Sequence, residues 1–172
     1  MYQRILVPID GSAPSEHGLT EAIALARLSG GSIRLLHVLD DLSFTTGFET
    51  GATYENTVLP ALREASASIL AAGRERCAAA AVAVEVLTLE CFARRPCDVI
   101  VEQAVAWPAD VVVIGTHGRR GINRMMLGSD AEQVARMAPV PVLLVRSVED
   151  AARRPGVVAA GHVEAGVSEA AV

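Results

Sequence analysis

Five short apolar runs, mostly of Val, Ile and Leu, recur along the chain, separated by longer stretches with helical spacing. They are Ile5 to Ile9, Ile33 to Leu39, Val82 to Leu89, Val111 to Ile114 and Val142 to Val145. Strands that alternate with helices return to the same end of a sheet before pairing again, which makes the sheet parallel. The runs are nearly continuous rather than alternating, as expected of strands covered by helices on both faces. The pattern predicts an α/β fold with an open five-stranded parallel sheet.

The intervening segments carry helix signals. Leu19, Ala22, Ile23 and Ala26 form one apolar stripe, and Val58, Leu62, Ala65 and Ile69 form a second, both expected to pack on the sheet. Gly30 and Gly31 stand where a left-handed cap ends the first helix, and Pro96 suits the first position of a third helix that runs to about Trp107. Ser129 followed by Glu132 reads as a capping box opening a fourth helix, which ends before Pro139. Asp40 to Asn56 is a long loop after the second strand, carrying Phe44, Phe48 and Tyr54. Residues 1–147 read as one domain and residues 148–172 as a disordered tail, being short of large apolar side chains.

Composition narrows the partners. The chain has 172 residues, with 15 Lys and Arg against 20 Asp and Glu. A net charge of −5 argues against a protein that binds nucleic-acid backbones without regard to sequence. No apolar run reaches the roughly 18 residues that span a bilayer, so no membrane partner is expected. Pro8 and Asp10 interrupt the first apolar run too early for a secretory leader, which makes the cytoplasm the expected location. Cys77, Cys91 and Cys97 form neither a CxxC pair nor a zinc set and read as reduced, buried thiols.

In a parallel sheet of this kind, ligands sit beyond the carboxyl ends of the strands. The first strand ends in Pro8-Ile9-Asp10-Gly11-Ser12. Asp10 there either accepts hydrogen bonds from a ligand, or else Asp10 or Ser12 simply caps the next helix, with Pro14 in its first turn. The fourth strand runs from Ile114 into Gly115-Thr116-His117-Gly118-Arg119-Arg120-Gly121, and Gly128-Ser129 then opens a helix. Glycines let backbone amides approach an anion, a helix start adds free N–H groups, and Arg119, Arg120 and Arg124 add positive charge. A glycine-rich turn with solvated arginines is the alternative reading of the same residues. There is no GxxxxGK[ST] and no GxGxxG after the first strand, so neither a Walker loop nor a dinucleotide fingerprint is present. No catalytic set is expected. Ser12 and Ser129 lack a GxSxG elbow, and the four histidines do not pair at metal-ligand spacing.

At these residues the chain resembles the universal stress protein family, in the branch that carries the nucleotide pattern G-x2-G-x9-G-[ST]. Gly115, Gly118, Gly128 and Ser129 match that spacing. The opening Ile5-Leu6-Val7-Pro8-Ile9-Asp10-Gly11-Ser12 and the closing Ala138 to Arg146 also look like the family's ends. The resemblance implies strand order 3-2-1-4-5 in a Rossmann-like, adenine nucleotide alpha hydrolase-like fold. It implies ATP across the ends of the first and fourth strands. Asp10 would then meet the ribose or adenine region, Val38 would line the adenine pocket, and Gly115, Gly118, Arg119, Gly128 and Ser129 would surround the phosphates, with Pro8, Ile9, Ile114 and Asp130 also among the ATP-binding residues. It also implies a homodimer through the last strand, with Val140, Val142 and Leu144 in the contact.

Asp130 departs from the family pattern, where many relatives carry an apolar residue. A carboxylate there suits the helix dipole but repels phosphate, unless it helps hold a Mg²⁺ ion brought by the triphosphate. The expected function is a nucleotide-responsive protein of stress adaptation, binding ATP with Mg²⁺ and hydrolysing it slowly at most. The alternative is an adaptor of the same fold, free of nucleotide, that contacts unidentified protein clients.

Overall fold

The computed structural model describes residues 1–40, 54–91, 94–116 and 128–146. Its elements are β1 (Arg4–Pro8), α1 (Ala13–Ser29), β2 (Ser32–Leu39), one π-helical turn (Tyr54–Val58), α2 (Leu59–Ala79), β3 (Val84–Glu90), α3 (Pro96–Ala106), β4 (Val111–Gly115), α4 (Ser129–Met137) and β5 (Val142–Val145). The sheet runs β3-β2-β1-β4-β5, and every neighbouring pair is parallel. The expected strands are present with small shifts at their ends. Residues 41–53 of the long loop and the tail from Ser147 lie outside the described residues.

β1 forms the centre, with Ile5, Leu6 and Val7 all fully buried. Its pleat divides the core in two. Ile5, Val7 and Ile9 pack with Leu19 and Ala22 of α1 and with Leu70 and Cys77 of α2. Leu6 faces the other way, in a cluster with Cys97 and Ile100 of α3 and Val134 of α4. Two helices thus cover each face, which is why the central strands lack polar alternation. The edges differ from expectation. Val86 of β3 is 42% exposed, and Leu143 and Leu144 of β5 are 42% and 36% exposed. Helices on a twisted sheet cover its middle first, so the outer strands keep open surface.

The face of α2 also needs correction. The stripe expected at Val58, Leu62, Ala65 and Ile69 lies at the margin: Val58 belongs to the π-helical turn, Leu62 and Ile69 are half-buried, and Ala65 is exposed. The buried line is Ser66, Leu70, Gly73 and Cys77. A Cβ at Gly73 would stand 2.8 Å from Leu35 Cδ1 and 3.2 Å from Ile9 Cδ1. The helix comes this close to the sheet because small residues line its contact, and small residues carry little weight in a hydrophobic pattern.

A second close approach fixes the carboxyl end of β4. A Cβ on Gly115 would lie 2.5 Å from the carbonyl carbon and oxygen of Pro14 and 2.8 Å from Ser15 N. On the helix side, a Cβ on Gly18 would be 3.3 Å from Gly115 N. The start of α1 therefore rests on the end of β4 backbone against backbone. At the opposite end of the sheet, Asp110 ties the start of β4 to that of β1. Its Oδ2 accepts the backbone N–H of Gln3 at 2.7 Å and of Arg4 at 2.9 Å. These bonds, that from Arg4 foremost, hold the Asp110 carboxyl below its ordinary pKa.

Gly115→Ala should destabilise the protein by about 1–3 kcal/mol in denaturant unfolding, because the added methyl meets backbone rather than a movable side chain. Gly18→Ala should cost less, the nearest atom being farther away. Asp110 has a folded pKa below its unfolded value near 4, so its contribution is complete above that value and fades as pH falls through the folded one. The stability difference between the wild type and Asp110→Asn should therefore stay constant from about pH 7 to 5 and shrink below about pH 4.

Candidate functional site

The ends of β1, β2 and β4 and the start of α4 meet at the carboxyl edge of the sheet. Ile9, one residue past β1, donates its N–H to Leu36 O at 2.9 Å. Its carbonyl lies 2.7 Å from Nδ1 of the buried His37. The chain then turns through Asp10 and Gly11, the latter in the left-handed region at φ +78°. Asp10 Oδ1 accepts the Ser12 N–H at 3.0 Å and the Ser12 hydroxyl at 2.6 Å. Ser12 is the N-cap of α1, its hydroxyl accepting the Ser15 N–H at 3.4 Å, and Pro14 lies in the first turn. Ser12 thus caps the helix and Asp10 braces the cap, while the half-buried Asp10 remains at the strand end.

At β4, Ile114 and Gly115 are buried, and the Thr116 N–H donates to Val145 O at 2.9 Å. The Gly128 N–H returns to Thr116 O at 2.7 Å. The two ends of the glycine loop are thereby joined at its base. Gly118 and Arg119, with His117, Arg120 and Arg124, lie outside the described residues.

The capping box expected at Ser129 does not form. Gly128 takes the N-cap position with extended backbone, φ −60° and ψ 143°, and no side chain caps the helix by a hydrogen bond. Ser129 is already the first helical residue, too far along for its hydroxyl to serve as cap. Instead Gly128 O accepts the Glu132 N–H at 2.9 Å. The first-turn N–H groups and the positive end of the helix dipole are left without a capping side chain. Asp130 and Glu132 place negative charge in that same turn.

α3 begins beside α4, since Cys97 and Ala131 belong to one core cluster. Arg95, just ahead of α3, has its pKa raised, first by its hydrogen bond to Asp98 and to a smaller degree by Asp130. Burial raises the thiols of Cys77 and Cys97 above their ordinary pKa. Cys91 is buried too, its Sγ donating to Leu39 O at 3.3 Å. Protonated, enclosed thiols of this kind are poor nucleophiles. Among the described residues, no three His, Cys, Asp or Glu side chains are grouped to hold a metal ion.

Pro8, Ile9, Asp10, Val38, Ile114, Gly115, Gly128, Ser129 and Asp130 therefore stand on neighbouring strand ends and the adjoining helix start. Val38 is half-buried and packs toward the α3 and α4 face, whereas Ile9 belongs to the core under α1 and α2. Two contributors escaped the sequence reading. Gly18 leaves room for β4, and only its small size marks it. His37 was legible as the polar residue in Leu35-Leu36-His37-Val38-Leu39.

Among the described residues, no helix is long and apolar enough to cross a membrane. The universal stress protein family model matches residues 1–146. A universal stress protein of Methanocaldococcus jannaschii is 31% identical over 146 residues, spanning 85% of this chain and 83% of its own length. The solved structure of a universal stress protein from Lactobacillus plantarum superposes with a TM-score of 0.71 at 27% identity, covering 84% of this chain and 98% of that one. Another, a universal stress protein in complex with cAMP, superposes with a TM-score of 0.60 at 26% identity, covering 84% of this chain and 97% of that one. The sheet order, the helices on both faces and the match along nearly the whole described chain have one meaning: this chain belongs to the universal stress protein family.

Proposed function

We propose that the protein binds ATP at the carboxyl edge of the sheet, as a nucleotide-responsive member of its family acting in stress adaptation in the cytoplasm. In this reading Pro8, Ile9, Asp10 and Val38 take the nucleoside, and Ile114, Gly115, Gly118, Arg119, Gly128, Ser129 and Asp130 take the phosphates. One observation carries it. The glycine loop is joined at its base, by the bond from Gly128 to Thr116, beside a helix start whose N–H groups have no capping side chain. Such a start attracts an anion. Support comes also from the G-x2-G-x9-G-[ST] spacing and from the structural relative in complex with cAMP.

ATP would bring the divalent ion with it, Mg²⁺ being bound through the phosphates. Asp130 is the carboxylate on hand to offset that ion's charge, and Arg95 lies near enough to feel Asp130. The described residues offer no positioned base and nucleophile pair, so occupancy rather than turnover is the signal in this reading, with hydrolysis slow at most. Assembly as a homodimer through β5 is the companion proposal. β5 is an edge strand, and pairing would cover its exposed backbone and the open side of Leu144. Val140 and Val142 are half-buried against their own core and would support the contact from behind.

Nucleotide-free protein titrated with ATP in a calorimeter should show saturable binding that strengthens with Mg²⁺. Gly118→Asp should weaken it by about 100-fold, since a carboxylate in the loop repels phosphate. A folded, nucleotide-free wild type that takes up no ATP would overturn the reading. For the assembly, sedimentation should give a dimer for the wild type and a monomer for Leu144→Asp, which places a charge in an apolar contact. A wild-type monomer at micromolar concentration would rule out the β5 dimer.

A further inference from the structure

The proposed nucleotide site gives no role to His37, a buried polar side chain at the carboxyl edge. His37 is 5% exposed, and its Nδ1 lies 2.7 Å from the carbonyl oxygen of Ile9. A carbonyl only accepts, so Nδ1 carries the hydrogen and the ring donates. The backbone N–H of Ile9 in turn donates to Leu36 O at 2.9 Å. Ile9 lies beyond the last residue of β1, yet both of its backbone groups are tied to β2, one through main chain and one through a side chain.

The turn beyond Ile9 gives this bond its meaning. Asp10 and Ser12 are joined through Asp10 Oδ1, and the Asp10 N–H reaches Ser15 Oγ at 3.4 Å. Between them, Gly11 at φ +78° has backbone freedom in both directions. The far end of this turn is held by the start of α1 and the near end by Ile9. Across the sheet, the register neighbour of His37 is Thr88, whose hydroxyl pairs with the buried Ser66 of α2 at 2.9 Å. His37 and Ile9 are both buried, so a donor removed from the ring without replacement leaves the Ile9 carbonyl unsatisfied.

We propose that His37 is a positioning residue: its ring clamps the Ile9 carbonyl and thereby sets where the Asp10 carboxylate and Ser12 stand at the strand end. The clamp is a property of the nucleotide-free protein. Its effect on affinity rests on the nucleotide reading above, with His37 acting through Asp10 rather than touching the ligand.

The test compares wild type with His37→Phe, which keeps a flat ring without the donor, and His37→Asn, whose amide nitrogen falls close to the position of Nδ1. Amide hydrogen exchange in nucleotide-free protein should quicken by about tenfold at Ile9, Asp10 and Ser12 in His37→Phe, and return toward wild type in His37→Asn. The Ile33 and Val112 amides, bonded elsewhere, should not change. ATP titration of the same proteins should show about tenfold weaker binding for His37→Phe and recovery in His37→Asn. Unchanged exchange at the three turn amides, or an Asn variant as loose as the Phe variant, overturns the clamp. Equal loosening at Ile33 and Val112 also overturns it, marking a general structural role. If wild type takes up no ATP, the nucleotide reading fails while the exchange data still decide the clamp. If His37→Phe does not fold, nitrogen NMR of the wild-type ring decides: hydrogen on Nδ1 supports the clamp, and a bare Nδ1 overturns it.

Discussion

Everything at the carboxyl edge depends on one contact between main chains, that of Gly115 at the end of β4 with Pro14 and Ser15 at the start of α1. With a would-be Cβ only 2.5 Å from Pro14 C, no side chain can stand between them. The two segments are therefore set by peptide geometry instead of rotamers, and what they carry is set with them. On one side is the turn of Asp10, Gly11 and Ser12, and on the other is Thr116, from which the glycine loop departs. In the sequence, Gly115 reads as a residue that lets an anion approach. Its described surroundings give it an architectural duty as well, to let a helix approach.

The fold was legible because the central strands are buried on both faces, which leaves short apolar runs that their length and their wealth of Val and Ile mark as strands. β1 and β4 are the clearest cases. Gly30 likewise announced the end of α1 and caps it at φ +67°. What the sequence hid was carried by absence of bulk. The buried line of α2 is Ser66, Leu70, Gly73 and Cys77, of which only Leu70 is large and apolar, so Val58, Leu62 and Ile69 outshone it despite lying at the margin. The open edges were hidden for a different reason: β3 and β5 read as apolar runs, but their coverage depends on where helices end on a twisted sheet.

The places of the strand ends and of the start of α4 were legible in the sequence, and the hydrogen bonds made there were less so. The residues at the strand ends could be named because spacing places them there, whereas hydrogen bonds decide what each does. Ser129 looked like a cap and is instead the first helical residue, since Gly128 reaches the extended conformation and takes the cap position itself. Asp10 and Ser12 proved to be joined to one another, a link the spacing allowed but did not require. His37 sat unremarked in a strand because a lone polar residue among apolar ones gives no hint of its partner, and the partner, Ile9, is remote in sequence.

The bond from Gly128 N to Thr116 O bears on how such a protein can change over time. A loop whose two ends are joined to each other at its base makes little demand on the strand it leaves or the helix it enters. That bond, together with the register of β4 on β5, fixes where β4 ends and where α4 begins. Gly115 is bound by the packing of α1 on β4 as well as by any part it takes in the proposed site, so at that position a change of ligand could not be had without a change of fold.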